Sequence, residues 1–69
     1  MKFELNNEYI ELYKLIKVMD LVDSGGHAKI LIEEGMVKRN GEIELRKRAK
    51  ILTGEIIEIN DDIIEVIKK

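Results

Sequence analysis

The spacing of apolar residues changes its period along this 69-residue chain, and each period predicts a different element. Apolar and polar residues alternate over Phe3–Leu5, which predicts a short strand. Leu12, Ile16 and Met19 then recur at the spacing of one helix face. The pattern predicts a first helix from about residue 10 to about residue 19.

A second helix is predicted to begin at Asp23–Gly26, where the sequence has capping chemistry. A Ser or Asp side chain accepts hydrogen bonds from the free N–H groups at a helix start, and glycines relax the steric limits on the backbone. Ala28, Leu31 and Ile32 follow at helical spacing, and Gly35 suits the left-handed residue that ends a helix. We therefore expect a helix of about three turns, tightly connected to the first.

The segment Met36–Leu45 predicts a hairpin, because Asn40-Gly41 is a strong short-range signal for a two-residue turn between strands. The tip of this hairpin is expected to carry Lys38 and Arg39 beside the turn asparagine. Basic side chains are thereby placed at an exposed loop.

The C-terminal part of the chain predicts two more strands. Thr53-Gly54 marks a turn before the run Glu55–Asn60, and Asp61-Asp62 marks a turn before Ile63–Ile67. Isoleucine dominates both runs, which favours strands. The last run is also compatible with a short helix, and the pattern does not decide between the two.

Length and composition describe one small globular domain, with 45% hydrophobic and 38% charged residues. The chain has no cysteine and one histidine, so we expect no disulfide, no zinc or other metal site and no cofactor. No stretch approaches the roughly 18 apolar residues of a membrane span, and the first residues lack a signal-peptide pattern. We expect a cytoplasmic protein without a membrane partner.

The formal net charge of −2 argues mildly against a nucleic-acid partner, but the charge is unevenly distributed. The segment Lys29–Lys50 contains seven basic and four acidic residues, a net charge of +3. The remaining residues therefore carry a net charge of −5. A local basic surface is compatible with an acidic protein.

Two motifs point to anion binding. Ser24-Gly25-Gly26 opens a predicted helix, where free N–H groups and close backbone approach favour a phosphate, and Lys29 lies one turn farther on. Taken alone, a simple helix cap is the commoner meaning of such a motif. The basic run Arg46–Lys50 is predicted to be a strand that projects Arg46, Arg48 and Lys50 from one face. Its alternative is a charged strand edge that prevents aggregation.

The sequence gives almost no support for catalysis. His27 has no carboxylate or nucleophile at a matching spacing. The adjacent pairs Glu33-Glu34 and Asp61-Asp62 indicate solvation and capping rather than an acid/base pair. The aromatic residues Phe3, Tyr9 and Tyr13 are interpreted as core packing rather than base stacking. We expect a protein that is not an enzyme.

Taken together, the landmarks between Leu12 and Ile59 resemble the RNA-binding domain named after ribosomal small-subunit protein S-four, with its αL motif of two helices and a loop. The likeness is greatest to the short stand-alone bacterial members of that family. The matching positions, which are specific in this order and spacing, are Leu12, Ile16 and Lys17; Ser24, Gly25, Gly26, Ala28 and Lys29; Gly35, Val37, Asn40 and Gly41; and Arg46, Arg48, Lys50 and Gly54. Glu55 stands where the family usually has Asp.

The resemblance implies an α+β fold, with two short helices packed on a small, mostly antiparallel sheet of about four or five strands. It also implies binding to structured RNA, and we expect a single domain over residues 1–69 that is a monomer. The implied RNA is ribosomal, which makes the ribosome or a precursor subunit a candidate partner. Combining the resemblance with the basic residues, we expect RNA contacts from Lys14, Lys17, Ser24, Gly25, Gly26, Lys29, Lys38, Arg39, Asn40, Arg46, Lys47, Arg48 and Lys50.

The alternative function is a protein-interaction module that uses the acidic surface or a sheet edge. The isoleucine-rich C-terminal strands favour this alternative if they exceed what a small core buries, because monomers rarely expose large apolar patches. A partner would then cover the surplus isoleucines.

Overall fold

A computed structural model describes all residues from 1 to 69 and shows two helices packed against a five-stranded mixed sheet, with a separate two-stranded sheet. This is the α+β arrangement that was predicted. The elements in chain order are β1 (Lys2–Leu5), β2 (Ile10–Glu11), α1 (Leu12–Val18), α2 (Gly25–Glu33), β3 (Val37–Arg39), β4 (Glu42–Ile43), β5 (Lys50–Ile51), β6 (Ile56–Ile59) and β7 (Asp62–Lys68).

The large sheet has the strand order β1-β7-β6-β3-β4. Its neighbours are antiparallel except for β1 and β7, which run parallel with Phe3 opposite Val66. β2 and β5 form the small antiparallel sheet, in which Glu11 lies opposite Lys50. The last run of the chain, β7, pairs with both β1 and β6 and is therefore a strand and not a helix.

The core lies between the helices and the inner face of the large sheet. Leu12, Leu15 and Ile16 of α1 are fully buried, as are Ile57 of β6 and Ile64 of β7. Truncating one of these side chains to alanine costs about 2–5 kcal/mol, because it removes apolar burial and leaves a cavity. The stripe of α1 that the periodicity predicted is therefore the face that packs on the sheet.

Some isoleucines of the C-terminal strands are exposed on the outer face of the large sheet, the face away from the helices. Strand residues alternate between the two faces, so Ile56 and Ile63 point away from the core while their neighbours point into it. Ile63 is 53% exposed and Ile56 is 43% exposed. The C-terminal strands hold more isoleucine than this core buries.

The turns follow local backbone chemistry. Asn40 and Gly41 have φ values of 52° and 88°, the pair of positive angles that a two-residue hairpin turn needs. The predicted turn at Asp61-Asp62 is wrong by one residue, since the turn is Asn60-Asp61 and Asp62 already belongs to β7. Asn60 has a φ of 53°, and asparagine tolerates this left-handed conformation better than most residues.

The first helix is shorter than predicted. Ile10 and Glu11 form β2 instead, because Ile10 pairs with the buried Ile51 in the small sheet. At the other end Met19 caps the helix, and Asp20 turns the chain with a φ of 62°. The predicted helix start at about residue 10 is therefore two residues too early. No helix of the chain has the length and apolar character needed to cross a membrane.

The basic run is not the strand that was predicted. Arg46–Ala49 forms a loop with a turn, and only Lys50 enters β5. The carbonyl oxygens of Lys47 and Ala49 accept hydrogen bonds from the start of α1 rather than from a neighbouring strand. Lys38 and Arg39 are likewise not in the hairpin turn but in β3, just before it. Alternating charges alone do not reveal where the backbone hydrogen bonds of a segment go.

Candidate nucleic-acid interface

The start of α2 has the predicted cap. The Ser24 hydroxyl accepts a hydrogen bond of 3.1 Å from the His27 N–H. Gly25 and Gly26 are the first two residues of the helix, whose N–H groups have no acceptor within it. Gly26 is exposed, and a Cβ placed there would meet only the Ser24 hydroxyl, at 3.7 Å, so the surface beside Gly26 is open.

The start of α1 is capped by the basic loop. Glu11 occupies the cap position, but its side chain accepts no capping hydrogen bond. Instead the N–H groups of Leu12 and Tyr13 donate to the carbonyl oxygens of Ala49 and Lys47, at 2.9 and 3.1 Å. These two bonds satisfy orphan helix donors and fix the Arg46–Ala49 loop beside α1.

Tyr13 joins the three segments that carry the basic residues. Its ring centroid lies 4.6 Å from the Lys29 ammonium, 5.5 Å from the Arg48 guanidinium and 5.9 Å from the Lys14 ammonium. A Cβ at Gly25 would lie 3.6 Å from the ring. The negative face of an aromatic ring attracts cations, so Tyr13 gathers three of them around one point.

Sequence reasoning assigned Tyr13 to the core and missed this arrangement. The ring does pack partly against the core, but it remains only half-buried. The signal in the sequence was its position beside Lys14, at the edge of the apolar stripe of α1. Tyr9 departs further from its prediction, since it is exposed.

Glu11 forms ion pairs with two of the basic side chains. Its carboxylate lies 3.1 Å from the Lys14 ammonium and 3.3 Å from the Arg48 guanidinium. The hydrogen bond from Lys14 and then the one from Arg48 hold the pKa of Glu11 below its ordinary value. Glu11 therefore stays ionised and orients both cations without neutralising the whole cluster.

Arg39 is used inside the protein. Its guanidinium donates to both oxygens of the Glu55 carboxylate at 2.7 and 2.9 Å, to Glu44 at 3.2 Å and to the Lys50 carbonyl at 2.9 Å. The hydrogen bonds from Arg39 are the main reason that the pKa of Glu55 lies below its ordinary value. Arg39 thus ties the hairpin to both ends of the basic loop.

Asn40 also supports the fold. Its side-chain oxygen accepts a hydrogen bond from the Ile56 N–H at 2.9 Å, and its amide donates to Glu55 at 3.1 Å. Glu55 in turn accepts from the Leu52 N–H at 2.7 Å, which closes the turn that precedes β6. Arg39 and Asn40, both predicted to contact RNA, therefore make their hydrogen bonds within the protein.

Glu44 shapes the beginning of the basic loop. Its carboxylate accepts two side-chain hydrogen bonds from Arg46, at 3.0 and 3.1 Å, and one from the Arg46 backbone N–H. The side-chain bonds from Arg46 make the largest contribution to lowering the pKa of Glu44 to about 2. The Arg46 side chain nevertheless stays 74% exposed.

Two open concavities lie along this surface. One, of about 450 Å³, is lined by Arg39, Arg46, Arg48, Ala49 and Lys50. The other, of about 410 Å³, is lined by Tyr13, Lys14, Lys17, Val18 and Gly25. Arg48, Lys14 and Tyr13 connect them. We call the continuous surface the basic face, and it comprises the start of α2 with Lys14, Lys17, Lys29, Arg46, Arg48 and Lys50.

Two predicted contact residues lie apart from the basic face. Lys38 lies opposite Glu58 in the register of β3 and β6, and it points from the outer face of the sheet, away from the helices. The Lys47 side chain points towards Glu33 of α2, at 3.8 Å, although its backbone belongs to the loop. The structure therefore brings together most of the predicted cations, but not all of them.

The chain is similar to known proteins over almost its whole length. A family model described as the S4 domain matches residues 3–67. YbcJ, a candidate RNA-binding protein of Escherichia coli (strain K12), is 39% identical over 59 residues, which cover 86% of this chain and 84% of YbcJ. RlbA of Bacillus subtilis (strain 168), named as a probable ribosome maturation protein, is 34% identical over 55 residues, which cover 80% of this chain and 78% of RlbA.

A solved structure supports the same relationship. The solution structure of YbcJ from Escherichia coli, described as revealing an αL motif involved in RNA binding, superposes with a TM-score of 0.74 at 37% sequence identity. The superposition covers 96% of this chain and 85% of YbcJ. Since the family model and the structural match both span nearly the whole chain, this chain belongs to the S4 domain family.

Proposed function

We propose that this protein binds structured RNA through the basic face, by contacts to the phosphate backbone. The observation that carries the proposal is the convergence of six cationic side chains and the open start of α2 on one surface of a chain with a net charge of −2. The description of YbcJ as RNA-binding supports the same assignment.

The proposed RNA is ribosomal, on the ribosome or on a precursor subunit in the cytoplasm. The name of RlbA as a probable ribosome maturation protein supports this assignment. Lysine and arginine contacts to phosphates fix the position and orientation of an RNA without reading its sequence. Recognition would then depend on the shape of the folded RNA, including its 2′-hydroxyl groups.

The proposed activity is binding without catalysis. The two carboxylates that lie among the bases of the basic face, Glu11 and Glu44, have lowered pKa values because lysine and arginine groups donate to them. A general acid needs a pKa near the working pH, and these groups are fully ionised there. Their role is to hold Lys14, Arg46 and Arg48 in place.

A salt titration of RNA binding with a charge-matched pair of variants tests the proposal. The Lys29→Ala/Arg48→Ala variant removes two charges that lie on Tyr13, whereas Lys2→Ala/Lys38→Ala removes two from the outer face of the sheet. Both variants have the same net charge. Fluorescence anisotropy with a labelled ribosomal RNA hairpin measures the affinity, with duplex DNA of equal length as competitor.

We expect the logarithm of the wild-type affinity to fall with the logarithm of salt concentration at a slope of roughly −3 to −5, for five or six neutralised phosphates. The slope should shrink by about 1.5 in the basic-face variant and change little in the outer-face variant. Equal losses in the two variants would show a general charge effect and overturn the assignment of the face. No preference for the hairpin over duplex DNA would overturn the assignment to RNA.

A second candidate function is a protein contact on the outer face of the sheet. Ile43, Ile56 and Ile63 are all exposed there, which is more apolar surface than solubility requires. Sedimentation velocity over a range of concentrations tests self-association through this face. We expect a monomer; a dimer that Ile63→Lys dissociates would favour this second function.

A further inference from the structure

Beside the basic face lies a third concavity with different chemistry. It measures about 480 Å³ and is lined by Asn7, Glu8, Tyr9, Ile10, Glu11 and Lys14. Glu11 already binds the Lys14 ammonium at 3.1 Å, and Glu8 forms no ion pair. The lining therefore carries a net negative charge, which repels phosphate.

Tyr9 gives this concavity an aromatic wall. Its ring is 39% exposed, whereas the other aromatic side chains are half-buried against the core. The Lys50 ammonium lies 5.0 Å from the ring centroid. Lys50 lines the neighbouring concavity that also contains Arg46 and Arg48, so it links the basic face to the Tyr9 ring.

The register of the small sheet explains why these groups meet. Glu11 lies directly opposite Lys50 in this sheet, and Tyr9 comes immediately before β2, with its ring centroid 5.0 Å from the Lys50 ammonium. One strand edge thus presents an aromatic ring, a carboxylate and a cation in a row. A ligand that reaches from Lys50 to Tyr9 needs an anionic end and a flat, uncharged end with N–H donors.

A nucleotide has this combination of groups. We propose that the concavity beside Tyr9 accepts one unpaired nucleobase, preferentially guanine, from an RNA strand whose phosphates lie on the basic face. The base would stack on Tyr9, and its neighbouring phosphate would contact Lys50. Guanine is preferred because its Watson–Crick edge presents an N1–H and an N2–H side by side, which match the two oxygens of a carboxylate such as Glu8.

This inference rests on the proposed function, and it specifies the RNA further. In a duplex the Watson–Crick edge is paired and the base is stacked between its neighbours, so neither is available to the protein. The preferred RNA is therefore a helix that contains an unpaired guanine, as in a bulge or at a junction. A fully paired helix would bind through the phosphates alone.

The test compares three hairpins that are identical except for one position: a bulged guanosine, a bulged uridine or no bulge. Stacking of one base on an aromatic side chain predicts that the wild-type protein binds the guanosine bulge roughly 5- to 100-fold more tightly than the paired hairpin. Tyr9→Leu should reduce this ratio to near one without changing the affinity for the paired hairpin. Tyr9→Phe, which keeps the ring, should retain the ratio.

Two further readouts locate the base. Glu8→Gln should reduce the preference for guanosine over uridine while keeping the preference for a bulge over no bulge. 2-Aminopurine at the bulge should lose fluorescence on binding to wild-type protein and not on binding to Tyr9→Leu. Because Tyr9 and Glu8 are exposed, both variants should melt within a few degrees of the wild type.

The outcomes separate the two proposals. Equal wild-type affinity for bulged and paired hairpins would overturn the nucleobase site and leave phosphate binding on the basic face intact. A bulge preference that Tyr9→Leu retains would also overturn it. If none of the hairpins competes with duplex DNA, the proposed RNA-binding function fails, and the nucleobase site fails with it.

Discussion

Replacing Arg39 with methionine separates a stabilising role for this residue from an RNA contact. The substitution keeps the apolar stem and removes the guanidinium, which makes four hydrogen bonds to Glu55, Glu44 and the Lys50 carbonyl. The three side chains are only 22%, 15% and 11% exposed, in the order Arg39, Glu55, Glu44. Two carboxylates would therefore lose a partner in a mostly buried setting.

The expected cost lies between two limits. An exposed ion pair contributes about 0–1 kcal/mol, and breaking a fully buried pair costs about 3–5 kcal/mol. Arg39 lies between these cases, so we expect a loss of about 2–3 kcal/mol. For a domain of this size that corresponds to a fall of roughly 10–20 °C in melting temperature.

Thermal unfolding followed by circular dichroism at neutral pH measures this loss, with Arg48→Met as the matched control. Arg48 is 61% exposed and has one ion pair of 3.3 Å, to Glu11, so its variant should lose less than about 1 kcal/mol. Well below their melting temperatures, the order should reverse for RNA affinity, with Arg48→Met weaker than Arg39→Met. Equal melting temperatures for the two variants would show that the Arg39 guanidinium does not stabilise the fold more than the exposed Arg48 does.

The free energy of unfolding, measured with urea between pH 5 and pH 2, should fall as pH falls. The reason is that the pKa of Glu44 is lowered from 4.5 to about 2, so its stabilising contribution is present only while the carboxylate is ionised. Glu44→Gln should flatten this profile, and an unchanged profile in that variant would show that Glu44 is not the group responsible. Tyr13→Leu should weaken RNA binding by roughly three- to ten-fold, because no aromatic ring then holds Lys29 and Arg48 together. Tyr13→Phe keeps the ring and should bind like the wild type. Equal weakening of both variants, measured by fluorescence anisotropy, would exclude the ring as the cause. Gly26→Ala should leave the melting temperature unchanged or slightly higher, because the new methyl group meets only the Ser24 hydroxyl. The same methyl group should weaken RNA binding, because it obstructs the start of α2. Unchanged affinity in a gel-shift assay would show that the start of α2 is not part of the interface.

The features that could be predicted from the sequence are the local ones. A serine before two glycines specifies a helix cap through its own side chain, and Asn40-Gly41 specifies a hairpin turn through its own backbone angles. The apolar stripe of α1 is also a local pattern, and its residues are the ones buried on the sheet. These signals do not depend on the rest of the chain.

The features that escaped prediction depend on distant partners. The Arg46–Ala49 loop departs from a strand because its carbonyls meet the N–H groups of α1, more than thirty residues earlier. Arg39 turns inward because Glu55, sixteen residues away, offers both carboxylate oxygens. The parallel pairing of β1 with β7 joins the two ends of the chain. Charge and periodicity in one segment contain no information about these contacts.

The candidate interface also depends on contacts between residues that are distant in the sequence. The net charge of −2 argued mildly against a nucleic-acid partner, although Lys29–Lys50 alone carries +3, whereas the fold collects lysines and arginines of three separate segments on one surface. The cations are brought together by Tyr13 and Glu11, and neither residue was expected to have this role. A local excess of charge is thus built by packing.

The most direct test of the basic face is an NMR titration of the 15N-labelled protein with a ribosomal RNA hairpin. We expect the largest amide shifts at Gly25, Gly26 and the Arg46–Lys50 loop, with small shifts at Ile63 on the outer face of the sheet. Raising the salt concentration should reverse these shifts, since they arise from phosphate contacts. Shifts concentrated on β6 and β7, with the Gly25 and Gly26 amides unchanged, would exclude the basic face and place the interface on the outer face of the sheet.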